Sequence, residues 1–84
     1  MASHELASLQ RAVDLLGSQA ELAKAISKPD RVIRQQHIWN WLNRDKKVPA
    51  EAVLSIEVAT VLNGKPLVTR HDLRPDLYPA EQAA

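Results

Sequence analysis

Gly17-Ser18-Gln19-Ala20-Glu21 constrains this chain more than any other stretch, because it stops one helix and starts the next with almost nothing between. Before it, Leu6, Leu9, Val13 and Leu16 fall at i, i+3, i+7 and i+10, one stripe of an amphipathic helix. Ser3 is placed to cap that helix, Glu5 suits its positive end, and Gly17 supplies a left-handed stop. Ser18 and Glu21 then have the spacing of a capping box, in which two side chains satisfy free backbone N–H groups reciprocally. A second helix is expected from Gln19 to about Ile26, burying Leu22, Ala23 and Ile26. Pro29 disfavours helical geometry at Lys28 and should end it by Ser27.

A third helix contains Gln35-Gln36-His37-Ile38-Trp39-Asn40-Trp41-Leu42-Asn43, with Ile38, Trp41 and Leu42 inward at i, i+3 and i+4. Its start is open between Arg34 and Pro29, which suits a first helical position. After the polar connection Arg44-Asp45-Lys46-Lys47, Pro49 opens a fourth helix expected to run through about Leu62 and to be closed by Asn63-Gly64. Val53, Ile56, Ala59 and Val61 are its expected apolar contacts. Only Pro66-Leu67-Val68-Thr69 suits extended backbone. Thr69-Arg70-His71-Asp72 offers a further capping box for one short turn, after which Leu73, Leu77 and Tyr78 can fold back onto the helices. Arg70 and Arg74 either clamp this tail or bind a partner.

These 84 residues make one small domain, residues 1–84, with a core from about 3 to 79. Cysteine is absent, which removes disulfides, thiol nucleophiles and cysteine-based zinc sites. His4, His37 and His71 lack metal-ligand spacing, and there is no Gly-rich phosphate loop, nucleophile elbow or carboxylate pair. The expectation is therefore no metal, no cofactor and no enzymatic activity. No apolar run approaches the roughly 20 residues that cross a membrane. The first residues do not read as a secretory signal, so no membrane partner and a cytoplasmic, nucleoid-associated location are expected. Net charge is +1, but residues 24–47 hold seven cations (Lys24, Lys28, Arg31, Arg34, Arg44, Lys46, Lys47) against Asp30 and Asp45, so that stretch is +5 and the remainder −4. A basic middle in an acidic domain has the form of an anion-binding surface.

The third helix is rich in amides. Glutamine and asparagine donate and accept together, so they match the N6/N7 edge of adenine in a major groove about 12 Å wide, which admits one helix. Gln35, Gln36, Asn40 and Asn43 lie away from Ile38 and Leu42 and form a band suited to base edges. Gln19, at the exposed start of the second helix, is placed to reach a phosphate. Residues two apart on a helix point roughly 200° apart, so Trp39 and Trp41 cannot share one core. Ile38 and Leu42 make Trp41 the buried one. Trp39 then either touches a thymine methyl or packs under segment 28–33 with Val32, and packing is the expected outcome. His37 either meets phosphate or covers the edge of the motif.

The run Ser18-Gln19-Ala20-Glu21-Leu22-Ala23-Lys24-Ala25-Ile26, followed by Gln35-Gln36-His37-Ile38-Trp39-Asn40-Trp41-Leu42, resembles the helix-turn-helix of phage Cro/CI-type repressors. Val48-Pro49-Ala50-Glu51, Ile56-Glu57 and Thr69-Arg70-His71-Asp72-Leu73-Arg74-Pro75-Asp76-Leu77-Tyr78-Pro79 narrow the resemblance to the Cro-like YdaS family, small DNA-binding proteins often classed as antitoxins. The resemblance implies an all-α, Cro/repressor-like helix-turn-helix bundle of about five helices with its motif at about 18–44. It places a phosphate contact on Gln19 and base readers on Gln35, Gln36, Trp39 and Asn40. Asn43 extends the base-reading band, and Ser18, Lys24, Arg34, Arg44, Lys46 and Lys47 are the further phosphate candidates. The family's turn is about three residues, whereas residues 27–34 number eight; Lys28-Pro29-Asp30-Arg31-Val32 looks like an insertion of five.

The function expected is sequence-specific binding of a double-stranded DNA operator, with repression by steric exclusion of polymerase, in a phage or prophage setting. The alternative is an antitoxin acting by direct contact with a toxin partner. A single recognition helix reads few base pairs, so a weak homodimer formed mainly on a palindrome is expected. Its contact is assigned to the fourth helix or the 65–78 tail, where Val58, Leu62, Leu67 and Leu77 exceed the needs of a small core.

Overall fold

The computed structural model describes residues 4–79; the expected cap Ser3 lies outside the described residues. The chain forms α1 (His4–Leu16), α2 (Gln19–Ile26), α3 (Gln35–Asn43), α4 (Ala50–Ala59), a hairpin of β1 (Val61–Leu62) and β2 (Lys65–Pro66), and α5 (Arg70–Leu73). It is a small all-α bundle carrying one short hairpin. α2 sits at its centre, packed against α1, α3 and α4, while α5 closes over α1 and α4. Leu9, Leu22, Ile38, Val53, Ile56 and Leu73 fill the core and are fully buried.

The α1–α2 break follows the local chemistry. Gly17 takes φ 110°, and the Ser18 hydroxyl accepts the Glu21 N–H at 3.1 Å. α3 begins at Gln35, the later of the two starts open from sequence. Lys28 and Arg31 exchange backbone hydrogen bonds at 2.9 Å in both directions, which folds the inserted residues into a tight turn of their own. Ser27 closes that turn. Its hydroxyl accepts the Ile33 N–H at 2.8 Å and lies 2.8 Å from the Ala23 carbonyl, joining the end of α2 to the approach to α3. Arg31 pairs with Glu51, so the turn leans towards α4.

α4 is shorter than its sequence pattern suggests. It ends at Ala59, and Asn63-Gly64 turns a hairpin instead of closing a helix at Leu62. Both residues take positive φ, 54° and 80°, the conformation that two-residue hairpin turns of the Asn-Gly kind require. Val61 leaves the helix and is exposed, and the extended pair is Lys65–Pro66 rather than a run from Pro66 to Thr69. Thr60 decides the outcome. It is buried, its hydroxyl lies 3.1 Å from the Ile56 carbonyl, and it accepts the Val68 N–H at 3.3 Å, so the returning chain is tied to the last turn of α4.

The tail is clamped. Thr69 and Asp72 form the expected capping box, with both bonds at 3.1 Å. Leu73 is buried and Tyr78 packs on the core, whereas Leu77 points outward instead of folding back. Arg74 donates to the Val48 carbonyl at 2.8 Å and pairs with Asp76, whose carboxyl is drawn down to about 2 chiefly by that hydrogen bond. Glu57 accepts the Arg70 N–H at 2.8 Å and its guanidinium at 2.9 Å. Of the two roles open for these arginines, clamping is the one the fold uses.

The Arg70 side-chain hydrogen bond holds the Glu57 carboxyl below its ordinary value. A depressed carboxylate stabilises the fold above its unfolded pKa and loses that contribution as pH falls through the folded value. Glu57→Gln is therefore expected to cost about 1 kcal/mol at pH 7. The gap between wild type and variant should start to narrow as pH falls through the ordinary glutamate value of about 4.3, and should close only below the depressed folded value, where both side chains are neutral. Thermal melting at pH 7 and pH 3 measures both.

Candidate functional site

α3 places its residues by the helical period. Ile38 is fully buried, Trp41 is 7% exposed and Leu42 is half-buried, so the inward set is the one its spacing requires. Gln36 and Asn43 are exposed and Asn40 is half-buried on the opposite side, while Gln35, exposed in the first turn, stands nearer the Leu42 edge. Gln36 donates through Nε2 to Asn40 Oδ1 at 3.1 Å. The bond sets the two amides side by side and leaves a carbonyl oxygen of Gln36 and an N–H of Asn40 for outward use. An acceptor beside a donor is the pattern that answers an adenine edge. Asn43 is turned back, donating to the Trp39 carbonyl at 3.0 Å, and keeps its own oxygen free as an acceptor.

The start of α3 is organised by His37, whose Nδ1 accepts the Arg34 N–H at 3.0 Å. His37 is exposed and ties down the edge of the helix through this bond. Beyond the other end, Lys46 adopts φ 54° and the Lys47 N–H reaches back to the Trp41 carbonyl at 3.1 Å. A left-handed residue with this long return bond is the usual helix stop, with lysine here where glycine is common. The stop leaves Lys46 and Lys47 exposed just past the amide row. Arg44 is exposed but shares its charge with Asp45 at 3.3 Å. Lys24 is exposed on α2, and Arg34 is exposed at the start of α3.

Trp39 lies elsewhere than expected. It is 46% exposed and borders a depression with Leu6, Ala7 and Gln10 of α1 and Gln19 of α2, while Val32 is itself exposed. Trp41 is the ring beside the inserted turn, lining a depression of about 150 Å³ with Ile26, Ile33, Pro49 and Ala52. The reason is the same 200° separation: the turn folds towards α4, on the side of α3 that Trp41 faces.

Gln19 also departs from expectation. It is half-buried rather than exposed, and its Oε1 is buried without a hydrogen-bond partner. The amide therefore faces outward through its donor end. Ser18 beside it already accepts the Glu21 N–H, which leaves its own hydroxyl hydrogen to donate. Sequence reasoning passed over Gln10, which borders the Trp39 depression, and gave Arg31 no role beyond the basic stretch. Neither has a local signal, since each acts through contacts remote in sequence. Among the described residues no group of three or more His, Cys, Asp or Glu is placed to hold a metal, and no helix is long and apolar enough to cross a membrane.

The family model described as bacterial toxin YdaS matches residues 9–82. No curated protein and no solved structure matches the chain. The description names a toxin, where the motif resemblance pointed to proteins classed as antitoxins. The match runs from the first helix through the capping box and the arginine clamps of the tail, and on it the chain belongs to the bacterial toxin YdaS family.

Proposed function

We propose that this protein is a sequence-specific double-stranded DNA-binding regulator of a toxin–antitoxin-related locus, acting as a Cro-like repressor. The observation that carries this reading is the exposed amide row of α3, standing opposite buried Ile38 and Trp41. Gln35, Gln36 and Asn40 read base edges, and Trp39 and Asn43 border them. Gln19 and Ser18 meet phosphate at one side, and Lys46 and Lys47 at the other, with Lys24, Arg34 and Arg44 adding charge. In this arrangement α2 and α3 act as a helix-turn-helix whose inserted turn is folded away from the amide row. Repression follows from occupying the operator, and no enzymatic step or cofactor is required.

A salt-dependent mobility shift on random duplex DNA tests this directly. Lys46→Ala and Lys47→Ala should each weaken all sequences about equally and lower the salt slope by roughly one. A loss confined to one sequence contradicts a phosphate role. No shift at low salt would overturn the DNA reading altogether.

The toxin named by the family favours one second reading, in which the folded surface acts on another protein of the cell. Growth arrest on induction separates the two. If arrest comes from DNA occupancy, Gln35→Ala/Gln36→Ala relieves it; if it comes from protein contact, the double variant stays as toxic as wild type.

A further inference from the structure

The inserted turn does not lie flat on the bundle. Between it and α4 is the depression of about 150 Å³, whose apolar lining is Ile26, Ile33, Trp41, Pro49 and Ala52, all buried or half-buried. Packed interiors leave few voids larger than one water, whose share of liquid volume is about 30 Å³. An apolar space of about 150 Å³ is of the size that holds a benzene ring. The mouth has the opposite character. Lys28, Asp30, Arg31 and Glu51 stand there exposed, and Ser55 follows one turn along α4 from Glu51. An apolar floor with a few convergent polar groups above it is the usual form of a small-molecule site.

We infer that this pocket binds a small zwitterion with an apolar side chain, a free α-amino acid of the leucine or phenylalanine kind. Arg31 meets Glu51 through one nitrogen, Nη2, and one oxygen, Oε1. The guanidinium therefore keeps Nε and Nη1, and the carboxylate keeps Oε2, for a further partner. An α-amino acid carries its carboxylate and ammonium on one carbon, side by side as Arg31 and Glu51 are. Its carboxylate accepts from Arg31, its ammonium donates to Glu51, and its side chain enters the space beside Trp41. Charge selects this class over a simple acid or amine. The mouth holds two cations, Lys28 and Arg31, and two anions, Asp30 and Glu51, so a lone carboxylate or ammonium is attracted by one pair and repelled by the other. A zwitterion meets both pairs with opposite charge. Size sets the other limit, since a side chain about as large as a phenyl ring fills the floor. A ligand this small, in a pocket open at its mouth, suits a dissociation constant on the order of 1 mM. Trp41 faces away from Gln36 and Asn40, so the pocket and the amide row use opposite sides of α3.

The inference is independent of the DNA reading and is tested without DNA. Trp39 and Trp41 are the two tryptophans of the chain, so a proton–nitrogen NMR spectrum carries two indole N–H signals, and Trp39→Phe identifies the one from Trp41. Titration with L-leucine or L-phenylalanine should move the Trp41 signal to saturation, with a dissociation constant on the order of 1 mM, and leave the Trp39 signal in place. 4-Methylpentanoate lacks the ammonium of leucine and 3-methylbutylamine lacks its carboxylate; each should bind at least about tenfold more weakly than leucine. Glu51→Gln should weaken leucine to the level of 4-methylpentanoate, because only the ammonium loses its partner. A Trp41 signal unmoved by about 20 mM of either amino acid overturns the site. Either analogue binding as tightly as leucine, or Glu51→Gln leaving the advantage of leucine over 4-methylpentanoate intact, overturns the zwitterion. None of these outcomes bears on whether α3 binds DNA.

Discussion

Trp41→Ala should lower the folding free energy by about 3–5 kcal/mol, the usual cost of truncating a core aromatic. Trp41 is 7% exposed, belongs to the hydrophobic core, and lines a depression with Ile26, Ile33 and Ala52. A domain of this size holds only on the order of 5–10 kcal/mol in total, so the variant should be largely unfolded well below the melting temperature of wild type. Trp39→Ala, at a ring 46% exposed, should cost under about 1 kcal/mol. Thermal melts of the two variants side by side make the comparison. Equal costs would mean that the two tryptophans share the burial, contrary to their 200° separation.

The second large effect concerns discrimination. Gln36→Ala should remove about 1–3 kcal/mol of preference for a selected site over a scrambled duplex, while leaving non-specific binding nearly intact. Two amides are affected at once, because Gln36 holds Asn40 through their 3.1 Å hydrogen bond. Asn40→Ala should therefore produce a similar loss, and the double variant less than the sum of the two, since coupled neighbours are not additive. Fluorescence titration of both duplexes reads the ratio. Strictly additive losses would mean that the two amides read DNA independently. An unchanged ratio in both single variants would mean that the amide row does not face base edges.

The features legible in the sequence are those whose cause lies within about one helical turn. Gly17 and Ser18 set the break between α1 and α2, and Thr69 and Asp72 cap α5, because each cap joins groups no more than three or four residues apart. The choice of Trp41 over Trp39 for the core follows from helical phase alone. The amide row of α3 was legible for the same reason. What the tertiary structure decided involves partners far along the chain. Asn63-Gly64 suits a helix stop and a hairpin turn equally well; burial of Thr60 against Val68 selects the hairpin. The inserted residues carry no local sign of the direction in which they fold, and the pairing of Arg31 with Glu51, twenty residues on, supplies it. Trp39 finds its neighbours on α1 and α2 for the same reason. The outer face of α4 reads in sequence as surplus core, and only the packing of its opposite side on α2 and α5 shows that Leu54 and Val58 stand outside it. Local hydrogen bonds decide where helices start and stop, but which apolar face is covered depends on which elements reach it.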